Sequence, residues 1–449
     1  MNAIRLKTEY LKNPIGMDIV KPRLFWNCAE GVRQTAYRIV CRDEHENVLW
    51  DSGRVESSSM QAVYAGVPLA SRTRVVWQVR LWDENSTAGD WSECAVFEIG
   101  LLTAADWQAQ WITGDYTPDP KRRYPADCFQ KHFATGEVKK ARLYATACGI
   151  YQAAVNGQTV DGFVLAPGVT DYRKRVQYQT YDVTALLLQG DNTLTFQLAD
   201  GWYRGSVGAN GLCNQYGTET KLLAQLELTM ADGTVQTICT DGSWQWSDDG
   251  PVRFADNKDG ERVDARRVPS YRGHAKGTTH PVQPTASDNE PLKEHERFSA
   301  GILYTPSGRT VLDFGQNIAG ILQFTVQARA GQRIRLRFGE MLDADGEFTQ
   351  RNIQLAKGHT VTPLQQVDYV CREGRNDYKT AFAIFGFQYV LVESELPVNP
   401  ADFTAIAVYT DLERTGWFTS SNELLNKFFD STVWSAKNNH ADLPTDCPT

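Results

Sequence analysis

The sequence has no apolar run approaching the 18 or more residues that cross a bilayer as a helix, so a helical membrane span is excluded. It has no basic surplus: Asp and Glu outnumber Lys and Arg by 54 to 46, for a formal net charge of −8. Nucleic-acid binding needs a cationic face to neutralise phosphates, and this balance argues against one. Cysteine pairing is also missing. The nine Cys are scattered, odd in number and without a CxxC pair, which predicts reduced, mostly buried thiols in a cytoplasmic protein. Met1 to Asp18 carry no apolar stretch with a small-residue cleavage site, so no secretory signal is expected. The seven His show no ligand spacing, and neither a Gly-rich phosphate loop nor a GxSxG elbow occurs. No metal and no cofactor are expected.

What the chain has in quantity is aromatic side chains, 11% with twelve Trp, which suits β-sandwiches and sugar-binding surfaces equally. At 449 residues it exceeds a single core, and about 100–200 residues per domain suggests three or so domains. The expected architecture is mainly β, with three consecutive sandwiches followed by one helix. The first sandwich is placed at 13–100. In Val75–Leu81 the residues Val75, Trp77, Val79 and Leu81 share one face, while Gln78 and Arg80 share the other. Asp43–Asn47 reads as a polar hairpin connection. The Trp77 strand, the Asp90–Ser92 turn and the closing Phe97–Gly100 resemble a fibronectin type III module. Residues 101–127 are Pro-interrupted and read as a linker. The second sandwich is placed at 128–298, with Asn156-Gly157 as a type I′ turn and Ala231–Thr234 as a second hairpin of that kind. The third β-region is placed at 299–411.

The period then changes. Leu424, Leu425, Phe428, Phe429, Val433 and Ala436 fall on one face of a 3.6-residue helix, and Ser420 with Glu423 reads as a capping box. With no apolar partner in the chain for this stripe, the helix is expected either to dock on the third β-region or to fray. Pro444 and Pro448 then enforce a loop, and His440 reads as a cation at the helix C-terminus.

Together these segments resemble the bacterial α-L-rhamnosidases of glycoside hydrolase family 78. The resemblance rests on an ordered series: Asp51–Val55, Leu165–Tyr178, Asp200–Gly205, Asp313–Gly320, Gly339–Asp343, Phe385–Val390, Thr410–Gly416 and Pro444–Pro448. It implies hydrolysis of terminal α-L-rhamnose with inversion, one carboxyl group protonating the leaving oxygen and a second activating water from the opposite face. In that family both groups sit on an (α/α)6 barrel that follows the sandwiches. The family loop runs on past Asp-Cys-Pro through Gln-Arg-Asp-Glu and carries the acid there. This sequence stops at Thr449, so acid and base are expected to be absent. Residues 412–449, 38 in all, are too few for twelve helices of about 11–12 residues each. The expectation is a non-catalytic N-terminal part of such an enzyme, with no catalytic residue of its own. Two alternatives stay open: a free-standing carbohydrate-binding sandwich, and a barrel supplied by a separate polypeptide.

By the same resemblance Asp446 would contact sugar hydroxyls. Asp200, Trp202, Tyr203 and Arg204 form the other candidate substrate-binding group. Aromatic faces stack on sugar C–H surfaces while Asp and Arg bond hydroxyls; the same residues could equally form a packed corner with Asp200 paired to Arg204. Asp256, Asp259, Glu261 and Asp264 cluster in one loop and read as a solvated acidic surface, with calcium as the less favoured reading. Asp343–Glu347 reads as a hairpin turn. Asp313, Gln316 and Asn317 read as an interdomain hydrogen-bonding turn. The partner implied is a rhamnoside or another carbohydrate.

Overall fold

A computed structural model describes residues 1–208, 211–357 and 360–445. Its contacts divide the chain into two compact units. The first comprises Met1–Gln108 with Tyr178–Tyr181 and Gln283–Asp288, and the second comprises the intervening and following segments.

The first unit is built from two antiparallel sheets. Asn2–Thr8, Arg23–Ala29 and Gln61–Val63 form one. The other is ordered Val48–Asp51, Ala36–Arg42, Arg74–Trp82 and Ala88–Trp91. The predicted alternation holds: Val75, Trp77, Val79 and Leu81 are wholly buried, with Trp26, Tyr64 and Phe97 in the same core. Asp43 closes its hairpin by accepting from the His45 and Asn47 backbone N–H groups. The sandwich begins at Asn2, earlier than residue 13. A register shift between Ile4 and Lys7, with Arg5 at φ 52°, breaks the alternation and hides this strand from a period-2 reading.

In the second unit, Val138–Cys148 pairs along its length with Lys221–Met230, which also carries Val235–Cys239. A second sheet is ordered Gln158–Thr159, Ile150–Val155, Gly190–Ala199, Asp127–Thr135, Gln245–Ser247 and Gly273–His274. Asn156 and Gly157 both take positive φ, as a type I′ turn demands. The Ala231–Thr234 hairpin differs: only Gly233 is left-handed, so it closes as a longer loop with Met230 N–H on the Thr234 carbonyl. Part of the predicted linker is structural, since Ile112–Thr113 pairs with Leu222 and with Lys276–Gly277.

The third β-region extends across the expected boundary at 298. Its ten-stranded sheet takes in Val252–Asp256, Gly260–Asp264 and Leu292–Ser299. Gly260–Asp264 pairs in parallel with Gln366–Val370, a partner about a hundred residues away that no local turn announces. Thr310–Ala328 is one long strand, bent between Asp313 and Ile318 with Gly315 at φ 71°.

The terminal helix spans Glu423–Asn438. Its N-cap is Asn422, whose side chain accepts from Leu425 N–H, so the predicted capping box at Ser420 is displaced by two residues. The helix docks on the third β-region through its C-terminal half, and on a different face from the predicted stripe. Trp434 packs edge-on against Phe298 at 5.8 Å, Lys437 pairs with Glu296 at 2.5 Å, and the Asn438 side chain bonds Ala319 N–H and the Asn317 carbonyl. Leu424 and Phe428 remain 77% and 66% exposed.

Trp77→Ala should lower the unfolding free energy of the first unit by about 3–5 kcal/mol, read by urea denaturation. Trp434→Ala should cost the helix dock roughly half of the 1.5–3 kcal/mol that full burial of a large apolar side chain is worth. Faster hydrogen exchange confined to 423–438 would report it.

Candidate functional site

The strand Gly190–Ala199 ends at Asp200 and turns through a single helical turn, Gly201–Arg204. Gly201 is required here: it sits at φ 52°, and a Cβ would lie 2.7 Å from the Ile150 side chain. The turn folds Arg204 back on Asp200, with Nε donating to Oδ1 at 2.7 Å. Asp200, Tyr203 and Arg204 are 2%, 4% and 3% exposed, and Trp202 is half-buried against the Leu165 and Ile150 cluster. Asp200, Tyr203 and Arg204 therefore form a packed, buried corner, with Trp202 packed at its side.

The corner is one end of a buried ionic knot. Arg204 Nη1 donates to the Tyr116 hydroxyl at 2.6 Å, and its guanidinium lies 4.7 Å from the Tyr124 ring centre. Arg123 bridges Asp200, at 3.5 Å, and Asp256. Asp256 also accepts from the backbone N–H groups of Ser206, Lys258 and Asp259. Burial alone would raise the Asp256 pKa, but the Arg123 charge and these three donors outweigh it and hold it below its ordinary 3.8. Nearby Asp127 accepts from the Thr220 hydroxyl and the Trp246 indole; burial leads there, and its pKa is raised. Burial also opposes the charge on Arg204, yet the Asp200 carboxylate prevails and its pKa is raised.

The acidic loop is thus not a solvated surface. Asp256 and Glu261 are interior, because Arg123 neutralises the first and Ala381 N–H, Phe382 N–H and the Tyr378 hydroxyl satisfy the second. Asp264 pairs instead with Arg266. Among the described residues no group of three or more His, Cys, Asp or Glu side chains is placed to hold a metal ion.

The other predicted residue, Asp446, lies outside the described residues. The segment leading to it is described. His440–Ala441 pairs with Leu443–Pro444, and Asp442 stands at the tip with φ 72°. The Asp442 carboxylate accepts from Val169 N–H at 2.8 Å and from the Asn289 side-chain amide at 3.1 Å. Sequence reasoning missed Asp442, Arg123 and Asn289. Val169 falls within a motif that was noticed, but nothing local links it to residue 442. His440 contributes its carbonyl, which accepts from the Thr410 hydroxyl.

A cleft of about 630 Å³ opens between the helix and the Gln316–Asn317 turn, with Glu423 and Asp430 on its wall. Both carboxyl groups are exposed, so neither sits in the desolvating surroundings that poise a general acid.

Four family models match in chain order. Residues 3–103 match the Rha78A-like, N-terminal immunoglobulin domain, and 136–300 match the alpha-L-rhamnosidase N-terminal domain. Residues 303–409 match the bacterial alpha-L-rhamnosidase concanavalin-like domain, and 413–449 match the 6 hairpin glycosidase domain of the same enzymes. The chain belongs to the bacterial α-L-rhamnosidase family. The matched first domain is of the immunoglobulin type, a sandwich like the expected fibronectin module. An alpha-L-rhamnosidase of Formosa agariphila is 33% identical over 98% of this chain and 50% of its own length. The crystal structure of the Aspergillus terreus rhamnosidase superposes with a TM-score of 0.93 at 31% identity, covering all of this chain and 53% of that one. The Streptomyces avermitilis enzyme, solved in complex with L-rhamnose, gives 0.91 at 26% identity, covering 61% of its chain. The chain spans about half the length of the curated relatives it matches.

Arg123→Ala should destabilise the second unit by about 3 kcal/mol, the low end for an orphaned buried ion pair, because Arg123 keeps a partly exposed face. The pH profile should carry two opposed contributions. Asp256, with a depressed folded pKa, stabilises above about pH 3.8 and loses that contribution as pH falls through its lower folded value. Glu261, raised chiefly by burial, is most favourable below its ordinary 4.5 and loses stability as pH rises through its folded value. Thermal melts of Asp256→Asn and Glu261→Gln across pH 2–8 should each remove one limb.

Proposed function

We propose that these 449 residues are the β-domain half of an α-L-rhamnosidase and do not cleave glycosides on their own. The general acid and base of the inverting reaction belong, in this reading, to the six-hairpin glycosidase domain whose match opens at residue 413. The observation that carries it is the unbroken order of the four rhamnosidase domains. The fate of the buried carboxylates supports it. Asp200 and Asp256 are locked to arginines, while Asp127 and Glu261 are occupied by neutral donors. None of these is open to a leaving oxygen or an attacking water.

Terminal α-L-rhamnose is the substrate we assign to the complete enzyme, since a relative of this fold holds L-rhamnose. The exposed Leu424 and Phe428 face is where the remaining helices would cover this half. We place the protein in the cytoplasm, supported by the thiols of Cys41, Cys128, Cys148 and Cys371, which are buried and free of disulfides.

The 449-residue chain should leave an aryl α-L-rhamnoside intact, whereas a polypeptide with a complete six-hairpin domain should release the aryl group. Turnover above background by the 449-residue chain would refute the assignment.

A further inference from the structure

We propose that the cleft between the terminal helix and the Gln316–Asn317 turn is a binding site for a neutral saccharide. The geometry and chemistry of the cleft carry this independently of which glycoside the complete enzyme cleaves.

The cleft measures about 630 Å³, within the roughly 300–1,000 Å³ of small-molecule sites. One wall is a break in a strand. Thr310–Ala328 pairs with Phe385–Ser394 up to Asp313 and again from Ile318. Between those points it bulges, which takes Gln316 and Asn317 out of the ladder and sets them on the cleft. The bulge is held from within. Asp313 Oδ1 accepts from Gly315 N–H at 2.8 Å and from Gln388 Nε2 at 3.0 Å, and the Asn317 amide donates to Glu340 at 3.3 Å. The other wall is one stripe of the helix. Glu423, Lys427, Asp430 and Trp434 follow one another at helical i+3 and i+4 spacing and all line the cleft. This stripe runs beside the one that exposes Leu424 and Phe428.

The polar side chains around the cleft divide into two sets. The helix amides are committed to the walls: Asn438 bonds Ala319 N–H and the Asn317 carbonyl, and Asn426 bonds the N–H and the carbonyl of Ser420. Glu423, Lys427, Asp430, Ser431 and Ser435 are exposed and, among the described residues, make no side-chain hydrogen bond or ion pair. The free set therefore holds two carboxylates that only accept, an ammonium that only donates and two hydroxyls that do either. A polyamine offers the ammonium nothing. An acidic sugar or a phosphate meets two like charges. Sugar hydroxyls, which donate and accept from the same atom, answer all of these groups without adding charge. Trp434 supplies the apolar part. Its ring is fixed by edge-on contact with Phe298 at 5.8 Å and by Lys437 Nζ at 4.4 Å from its centre, and it lines the cleft where sugar C–H groups would lie.

The test is calorimetric titration of the 449-residue chain with two neutral sugars, the rhamnosyl-glucose disaccharide rutinose and maltotetraose. At least one should bind. Asp430→Ala and Lys427→Ala should each weaken that binding by about tenfold, the worth of a hydrogen bond to a charged group, with thermal unfolding unchanged because both residues are exposed. No heat from either sugar at millimolar concentration overturns the site. Undiminished affinity in both variants puts the sugar elsewhere and overturns it equally. Tighter binding of spermidine or of galacturonic acid than of either neutral sugar overturns the ligand class. Turnover of an aryl α-L-rhamnoside reports on the functional reading above and is measured separately, so failure of one is not failure of the other.

Discussion

A buried charge must meet an opposite charge, and the second unit is organised around one such obligation. Arg123 reaches Asp200 and Asp256 together, and Arg204 closes on Asp200 from the other side. Asp200 ends a strand of the middle sandwich, whereas Asp256 ends the outermost strand of the ten-stranded sheet. Two sheets are therefore pinned at one point by a guanidinium that neither contributes. The aromatic rings of Tyr116, Tyr124 and Phe254 shield that point and lower its dielectric, which strengthens the pairing and makes any unpaired member costly.

The same sheet receives the terminal helix and the hairpin behind it. Glu296 and Phe298 lie on its edge strand and Thr410 on the strand beside it, and they hold Lys437, Trp434 and His440 respectively. The helix is thus held by a polar and aromatic seam, while its most apolar stripe stays in water.

Most of the fold was legible because strands announce themselves through their own residues. The inward run of Val75, Trp77, Val79 and Leu81 needs no partner to be recognised, and the Asn156-Gly157 turn is likewise a local matter. What depended on distant partners was not legible. The acidic loop looked like a solvated surface because Arg123 lies 133 residues before Asp256. Strands from before residue 298 join the ten-stranded sheet, which stayed hidden because alternation marks a strand without saying which sheet it joins. The helix was placed correctly, but its docked face was set by Glu296 and Asn317, which a hydrophobic period does not weigh. Asp200, Tyr203 and Arg204 are neighbours in sequence, and only their burial decided which way they face.

The bonds from Asp442 to Val169 and Asn289 have a consequence for modularity. Sequence comparison parses this chain into successive modules with joints near 300 and 412, inviting exchange of the terminal portion between relatives at the second joint. Mechanically the joint lies elsewhere. The hairpin that enters the terminal portion is fastened through Asp442 to Val169 and Asn289, so a graft cut at 412 would separate Asp442 from both partners. Recombination that preserves the fastening must treat the loop at 165–169, Asn289 and the 439–445 hairpin as one heritable unit, although hundreds of residues lie between its parts.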